Sequence, residues 1–288
     1  MRTSCIETHQ GKLFVIGSNG LIGSWLEKEL LREFYGETAV QQWQYASQDY
    51  AEFNTRLMEE CKCDSEVVFC GGAGGFSITL ESYKQQEEDF EYFCRGIGNI
   101  DKTKHFTCIS SLGAIVSSQE SPYKSLIQSR ERILRSTAKS GYTVVRIPSL
   151  YGFNRITGQA RGLIAVLLAD SLNNKESSLF GRLDTSRNYL SSETSCASIA
   201  RTIIRRPKRV QEQTINLMAS KNYTIRELCS EVTRAVQRVP MFRLLEGQSV
   251  DCESHYPRKA DGTKVELFDD VHGWLCKNLQ SNCRGSQL

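Results

Sequence analysis

The heptapeptide GSNGLIG, residues 17–23, constrains the fold more than any other stretch of the chain. It follows a short β-rich apolar run, KLFVIG (12–17). It opens a segment in which Leu21, Ile22, Trp25, Leu26, Leu30 and Phe34 recur at helical spacing. A buried strand that passes through glycines straight into an amphipathic helix is the opening unit of a dinucleotide-binding sheet. Gly17 permits the tight turn. Gly20 lets backbone amides approach a pyrophosphate with no Cβ in the way, and Gly23 lets the helix pack close to the sheet. The helix start contributes unsatisfied amides and the positive end of its dipole. Ser18, Asn19, Leu21 and Ile22 complete the loop as candidate cofactor contacts. Glycine spacing also suits a turn with no ligand; the strand before and the helix after favour the ligand.

The same alternation continues downstream. Strands are expected at 40–46, 66–72, 104–111 and 142–152, with helices at 49–62, 77–97 and 122–141 between them. Strands separated by helices imply a parallel sheet covered on both faces. The second half is less regular, with a helix at 161–172, a strand at 214–219 and a helix at 224–236 opened by a threonine cap. The organisation expected is a flexible leader over 1–11 and a Rossmann domain over 12–152. A mainly substrate-binding region follows over 153–288, whose 180–220 segment partly returns to the Rossmann core.

Composition removes several function classes. A net charge of +3 with scattered basic residues gives no electrostatic footprint for nucleic acid. No apolar run approaches the ~20 residues that span a bilayer, and MRTSCIETHQ lacks a signal-peptide core. A cytoplasmic protein with no membrane partner is expected. The 11 cysteines are spread along the chain, several inside apolar strands, where they act as small buried hydrophobes. Cys61 and Cys63 form the one close pair and have no second pair at zinc spacing, so no metal is expected.

The GxxGxxG spacing resembles the short-chain dehydrogenase/reductase superfamily, in particular its extended, nucleotide-sugar-modifying branch of epimerases and dehydratases. EVVFCGGAG (66–74) is similar to that family's fourth strand and glycine turn. FTCISSLGAIV (106–116) is similar to the strand ending in the serine pair, and SPYKSLIQSRERIL (121–134) to the tyrosine helix. VVRIPSLYGFN (144–154) resembles the segment after the sixth strand. FGRLDTSRNYLSSETSCASIARTI (180–203) and TINLMASKNYTIRELCSEV (214–232) are similar to the substrate region. The order is kept over about residues 12–274.

The resemblance implies roles. Tyr123 takes the place of the proton-transferring tyrosine. Ser111, or Ser110 one register step away, takes that of the serine that steadies the substrate oxygen. Cys70, Gly71 and Gly72 are expected on the adenine and ribose side, and Pro148 and Leu150 at the nicotinamide. Arg187, Asn154 and Arg161 are candidates for the nucleotide diphosphate of a sugar nucleotide, since arginine contacts phosphate bidentately. At the second strand's tip, Ser47 would admit the 2′-phosphate of NADP and Asp49 would favour NAD; the reading puts NADP first. Helices 77–97 and 122–141 would form a homodimer interface.

One part of the pattern is missing. The family's lysine, four residues after the tyrosine on the same helix face, is here Ile127. A phenol with no such help titrates near ~10 and stays protonated at neutral pH. It can donate a proton to a forming alkoxide but is a poor base toward an alcohol. Three readings stay open. The first is an NAD(P)-dependent reductase or epimerase-like enzyme acting on a nucleotide-linked sugar. The second is a non-catalytic NAD(P)-binding sensor or scaffold, and the third a reductase of another small carbonyl compound.

Overall fold

The computed structural model describes residues 2–8, 11–34, 42–46, 55, 57, 59, 65–71, 79–98, 103–115, 121–138, 141–180, 182–206, 211–245, 264–268 and 271–285. The first half contains β1 (Arg2–Thr8), β2 (Gly11–Ile16), α1 (Leu21–Phe34), β3 (Gln42–Ala46), β4 (Ser65–Phe69), α2 (Leu80–Gly98), β5 (Thr103–Ser111), α3 (Pro122–Thr137) and β6 (Tyr142–Ile147). The second half contains β7 (Ser149–Phe153), β8 (Ala160–Arg161), α4 (Leu163–Leu172), β9 (Ser177–Phe180), β10 (Ser186–Ser191), α5 (Ser192–Ile204), β11 (Glu212–Ala219), β12 (Asn222–Thr224), α6 (Ile225–Val236), β13 (Phe242–Leu245), β14 (Lys264–Phe268) and α7 (Val271–Gly285).

Among the described residues the main sheet has eight strands in the order β14-β11-β6-β5-β4-β2-β1-β3. The run from β2 to β14 pairs parallel throughout. Both faces are covered, as near-continuous apolar strands require. On one face Phe14, Ile16, Val67 and Val144 meet Phe90, Phe93 and Ile97 of α2 and Leu134 of α3. On the other, Leu13, Val15, Val68 and Val145 meet Leu26 and Leu30 of α1 and Ile199 and Ile203 of α5. This is a Rossmann-type doubly wound α/β fold.

The leader expected over residues 1–11 is corrected by the structure. Arg2–Thr8 is an interior strand, antiparallel to β2 on one side and to β3 on the other. Cys5 packs into the α2–α3 layer and Ile6 into the α1–α5 layer.

The boundary expected at residue 152 falls within β7, and two later strands return to the main sheet, β11 and β14. The remainder of the second half builds a smaller sheet, β12-β10-β7-β8, and the β13-β9 pair. Its own core joins Tyr151, Ile164, Leu168, Leu228 and Trp274. Helix α6 starts at a full capping box between Thr224 and Glu227.

Candidate active site

The glycine loop joins β2 to α1 at the sheet's C-terminal edge, where open α/β sheets bind ligands. Gly17 has φ +85°, and a Cβ there would lie 3.1 Å from the main chain of Cys70 and Gly71. A Cβ on Gly23 would fall 2.2 Å from the Gly17 carbonyl oxygen, so helix and turn approach as closely as only glycine allows. Gly20 has more room, 3.3 Å to the same oxygen, and its amide donates to that oxygen at 3.0 Å. Packing therefore explains Gly17 and Gly23 better than Gly20, whose missing side chain fits a ligand lying on the loop. Ser18 is fully buried and its Oγ has no hydrogen-bond partner.

The loop is braced from the second half of the chain. Asn154 Nδ2 donates to the Asn19 carbonyl at 3.0 Å, while its Oδ1 accepts from the amides of Ile156 and Thr157. Trp25 Nε1 donates to the Phe153 carbonyl at 2.8 Å, and Arg155 Nε to the Ser24 carbonyl at 3.1 Å. Asn154, expected on a substrate phosphate, is thus a buried strut for the glycine loop. Leu21 and Ile22 begin α1. Cys70 and Gly71 follow β4 beside Gly17, and enclosure of the Cys70 sulfur pushes its thiol far above the ordinary range. Gly72, Ser47 and Asp49 lie outside the described residues.

At the end of β5 the two serines have separate duties, as neighbours on a strand point to opposite faces. Ser110 Oγ donates to Glu131 Oε1 at 2.7 Å. Glu131 is also held bidentately by Arg146 at 2.8 and 2.6 Å and by Arg135 at 3.1 Å. Ser110, Glu131 and Arg146 are all buried, and Ser110 is committed to this network. Ser111 Oγ accepts from the Gly113 amide at 3.1 Å, which leaves its own proton to be donated.

Tyr123 is the second residue of α3, behind Pro122 and the Ser121 cap. A Cβ on Gly113 would lie 3.3 Å from Ser111 Oγ and 3.4 Å from Tyr123 Cε1, so serine hydroxyl and phenol ring converge over that glycine. Ile127 is buried in the place of the lysine. Arg130 is buried too, with Nη2 on Gln86 Oε1 at 3.1 Å and its guanidinium 5.6 Å from the Phe90 ring centre. That spends it on α2. A second phenol, Tyr83, stands with its ring 6.3 Å from that of Tyr123; burial first, and Tyr123 second, raise it above the ordinary phenol value. A cleft of about 420 Å³ opens beside it, lined by Leu80, Lys84, Glu87 and Leu126. Sequence reading missed Tyr83, which is 40 residues from Tyr123 and carries no motif.

Pro148 is buried and Leu150 half-buried beyond β6, near this edge. The arginines do not converge. Arg161 is exposed on β8 opposite Gly152, and Arg187 is half-buried on β10 opposite Tyr223. With β7 between them and five residue steps along it, strand spacings put them on the order of 20 Å apart. Among the described residues no His/Cys/Asp/Glu group could hold a metal, and no helix is long and apolar enough to cross a membrane.

No family model and no curated protein matches the sequence. Solved structures do match. MoeE5 in complex with UDP-glucuronic acid and NAD is 15% identical with a TM-score of 0.71, over 95% of this chain and 99% of that one. UDP-glucuronic acid 4-epimerase from Bacillus cereus in complex with NAD is 14% identical with a TM-score of 0.67, over 92% and 95%. UDP-glucose 4-epimerase from Thermotoga maritima with UDP-glucose is 16% identical with a TM-score of 0.67, over 94% and 99%. At these identities the likeness establishes a shared fold.

Proposed function

We propose that this chain is an enzyme of the extended short-chain dehydrogenase/reductase kind that reduces a keto group on a nucleotide-linked sugar. The observation that carries the reading is the convergence of Ser111 Oγ and the Tyr123 ring over Gly113. They lie two strands along the same sheet edge from the glycine loop, roughly 10 Å away. The residues fit a nicotinamide dinucleotide at the loop: a side chain at Gly20 would meet less than one at Gly17 or Gly23, Ser18 keeps an unpartnered hydroxyl, and the start of α1 faces the same edge. When bound, that group supplies a hydride. The chain's own residues do the rest. Ser111 donates a hydrogen bond to the substrate oxygen, and Tyr123 gives its proton to the alkoxide as charge develops. Ile127 removes the cation that would help Tyr123 accept a proton, which weights the reading toward reduction rather than epimerisation. NADP is the preferred cofactor in this reading. The solved structures of like fold bind UDP-sugars and NAD, which supports the substrate class and the cofactor type.

A second reading is favoured by one observation. Ile127 is part of the buried interior, so the lysine position has become packing, as suits a cofactor-binding sensor that performs no chemistry. A homodimer through α2 and α3 belongs to either reading. Phe90 is taken up by the monomer's core and Leu126 is buried, which leaves exposed Leu80 and Tyr92 on α2 for a partner copy.

The test is titration with NADH and NADPH, followed by cofactor fluorescence, on wild type and Gly20→Asp. Binding that the variant loses, followed by UDP-sugar stabilisation against heat and by turnover that Tyr123→Phe lowers about a hundredfold or more, supports the enzyme. Binding without turnover of any keto-sugar selects the sensor. Absence of binding by either cofactor refutes both.

A further inference from the structure

We infer that Cys276 is a modification site, a surface thiol that His272 and Glu231 equip to exchange with small-molecule disulfides. The inference does not depend on the cofactor reading. Helix α7 is anchored by Val271, Trp274 and Leu275, all buried. That leaves His272 and Cys276, four residues apart, on one exposed flank of the helix. Among the described free cysteines Cys276 is the exposed one; Cys70 and Cys229 are half-buried, and Cys5, Cys94, Cys108 and Cys196 are buried.

The His272 ring stands between partners from two helices. Its Nε2 lies 3.6 Å from Cys276 Sγ, within reach of a sulfur hydrogen bond. Its Nδ1 lies 3.5 Å from Oε2 of Glu231 on α6. Arg234, three residues further along α6, donates to both oxygens of that carboxylate, at 3.0 and 2.9 Å, and so fixes where it points. The order is carboxylate, imidazole, thiol. It is the arrangement of a nucleophile, its base and the group that orients the base. The two ring nitrogens face different partners, so the three groups do not close around one ion, in keeping with the lack of a metal-type cluster among the described residues. The next residue of α7, Lys277, is paired with Glu193 of α5.

The surroundings select the chemistry. A thiol inside a helix has no free main-chain amides beside it to receive the oxyanion of an acyl transfer. Thiol–disulfide exchange needs less: a thiolate, an open approach to the sulfur and a proton for the departing thiolate. His272 takes the Cys276 proton as the sulfur attacks. The S–S bond of the small disulfide breaks as the new S–S bond forms, and the imidazolium returns the proton to the departing sulfur. One thiol and one disulfide give one mixed disulfide and one thiol, so no further oxidant is required. Glutathione disulfide is the probe.

The experiment incubates the full, reduced chain with glutathione disulfide and follows the mixed disulfide on the Cys276 peptide by mass spectrometry. The same peptide in the urea-unfolded chain is the reference. At about pH 7 the folded chain is expected to react at Cys276 at least about fivefold faster than the unfolded one. The ratio should widen toward about pH 6, because an unassisted thiol loses thiolate about tenfold per pH unit below ~8.5. His272→Gln should bring the ratio to about one at both pH values, and Glu231→Gln to an intermediate value. A merely structural role for His272 would leave the pH dependence unmoved. His272 is 61% exposed, and an unchanged urea midpoint shows that its variant folds; should it not, His272→Asn carries the same expectation. A ratio below about fivefold in wild type overturns the inference. So does a ratio that either His272→Gln or Glu231→Gln leaves unchanged. Those results would not touch the cofactor reading, since none of the three residues belongs to that site.

Discussion

The two wings of the sheet, on either side of β2, are built on different plans. From β4 to β14 the strands are parallel, and each pairs with a neighbour of the same direction. On the other side, β1 enters from the start of the chain against the direction of both strands it touches. The first wing brings Ser111 and Tyr123 together. The second flanks the glycine loop with the antiparallel β1. The two plans meet at β2, so the glycine loop has a parallel strand on one side and an antiparallel one on the other.

The comparison breaks hardest if its parallel wing is wrong. Glu131→Ala would leave buried Arg146 without its carboxylate and Ser110 without its acceptor. Removing one partner of a buried pair costs about 3–5 kcal/mol, read as a shift of the urea midpoint. A change below about 1 kcal/mol would mean that the network does not hold β5, α3 and β6 together.

The wing of β1 gives the next largest effect. Ile6 is fully buried in the α1–α5 layer, so Ile6→Ala should cost about 2–4 kcal/mol. If residues 1–11 were a loose leader the same substitution would cost almost nothing. Urea denaturation of this one variant therefore decides whether β1 exists in solution.

The effect that is smallest over any one pH unit sharpens the contrast through pH. His105 on β5 is buried, donates to or accepts from Thr143 Oγ1 at 2.8 Å, and is pushed down to about 3, first by burial and second by Arg206. Its folded value lies below its ordinary 6.5, so between the two the unfolded chain binds the extra proton. Stability should fall as pH drops from about 6.5 toward about 3, by at most about 1.4 kcal/mol per unit. His105→Gln should flatten that slope in urea midpoints measured across the range. An unchanged slope would assign the acid sensitivity elsewhere.

In the parallel wing β4, β5, β6 and β11 were legible as compact apolar runs followed by a helical pattern, whereas β14 was not read as a strand. The glycine loop was legible too, its three glycines sitting at the first strand-to-helix turn of the chain with an amphipathic helix behind it. In the other wing the strand expected at 40–46 is β3, but β1 was not legible. RTSCIET shows no alternation because Cys5 and Ile6 are adjacent and bury toward opposite layers, which is how a doubly covered strand reads. The Ser110/Ser111 choice needed Glu131, 21 residues from Ser110, to claim one of them. Asn154 looked like a ligand contact because a polar residue after a strand cannot reveal that its partner is a carbonyl 135 residues earlier.

The direction of β1 also governs how the protein should be handled. Anything attached ahead of Arg2 leaves the sheet at the edge that carries the glycine loop, level with Gly17. A purification tag or fluorescent fusion placed there would emerge beside the glycine loop. Affinities measured with such an extension would report the extension as much as the protein, so any tag used in the cofactor titrations belongs elsewhere or is removed first.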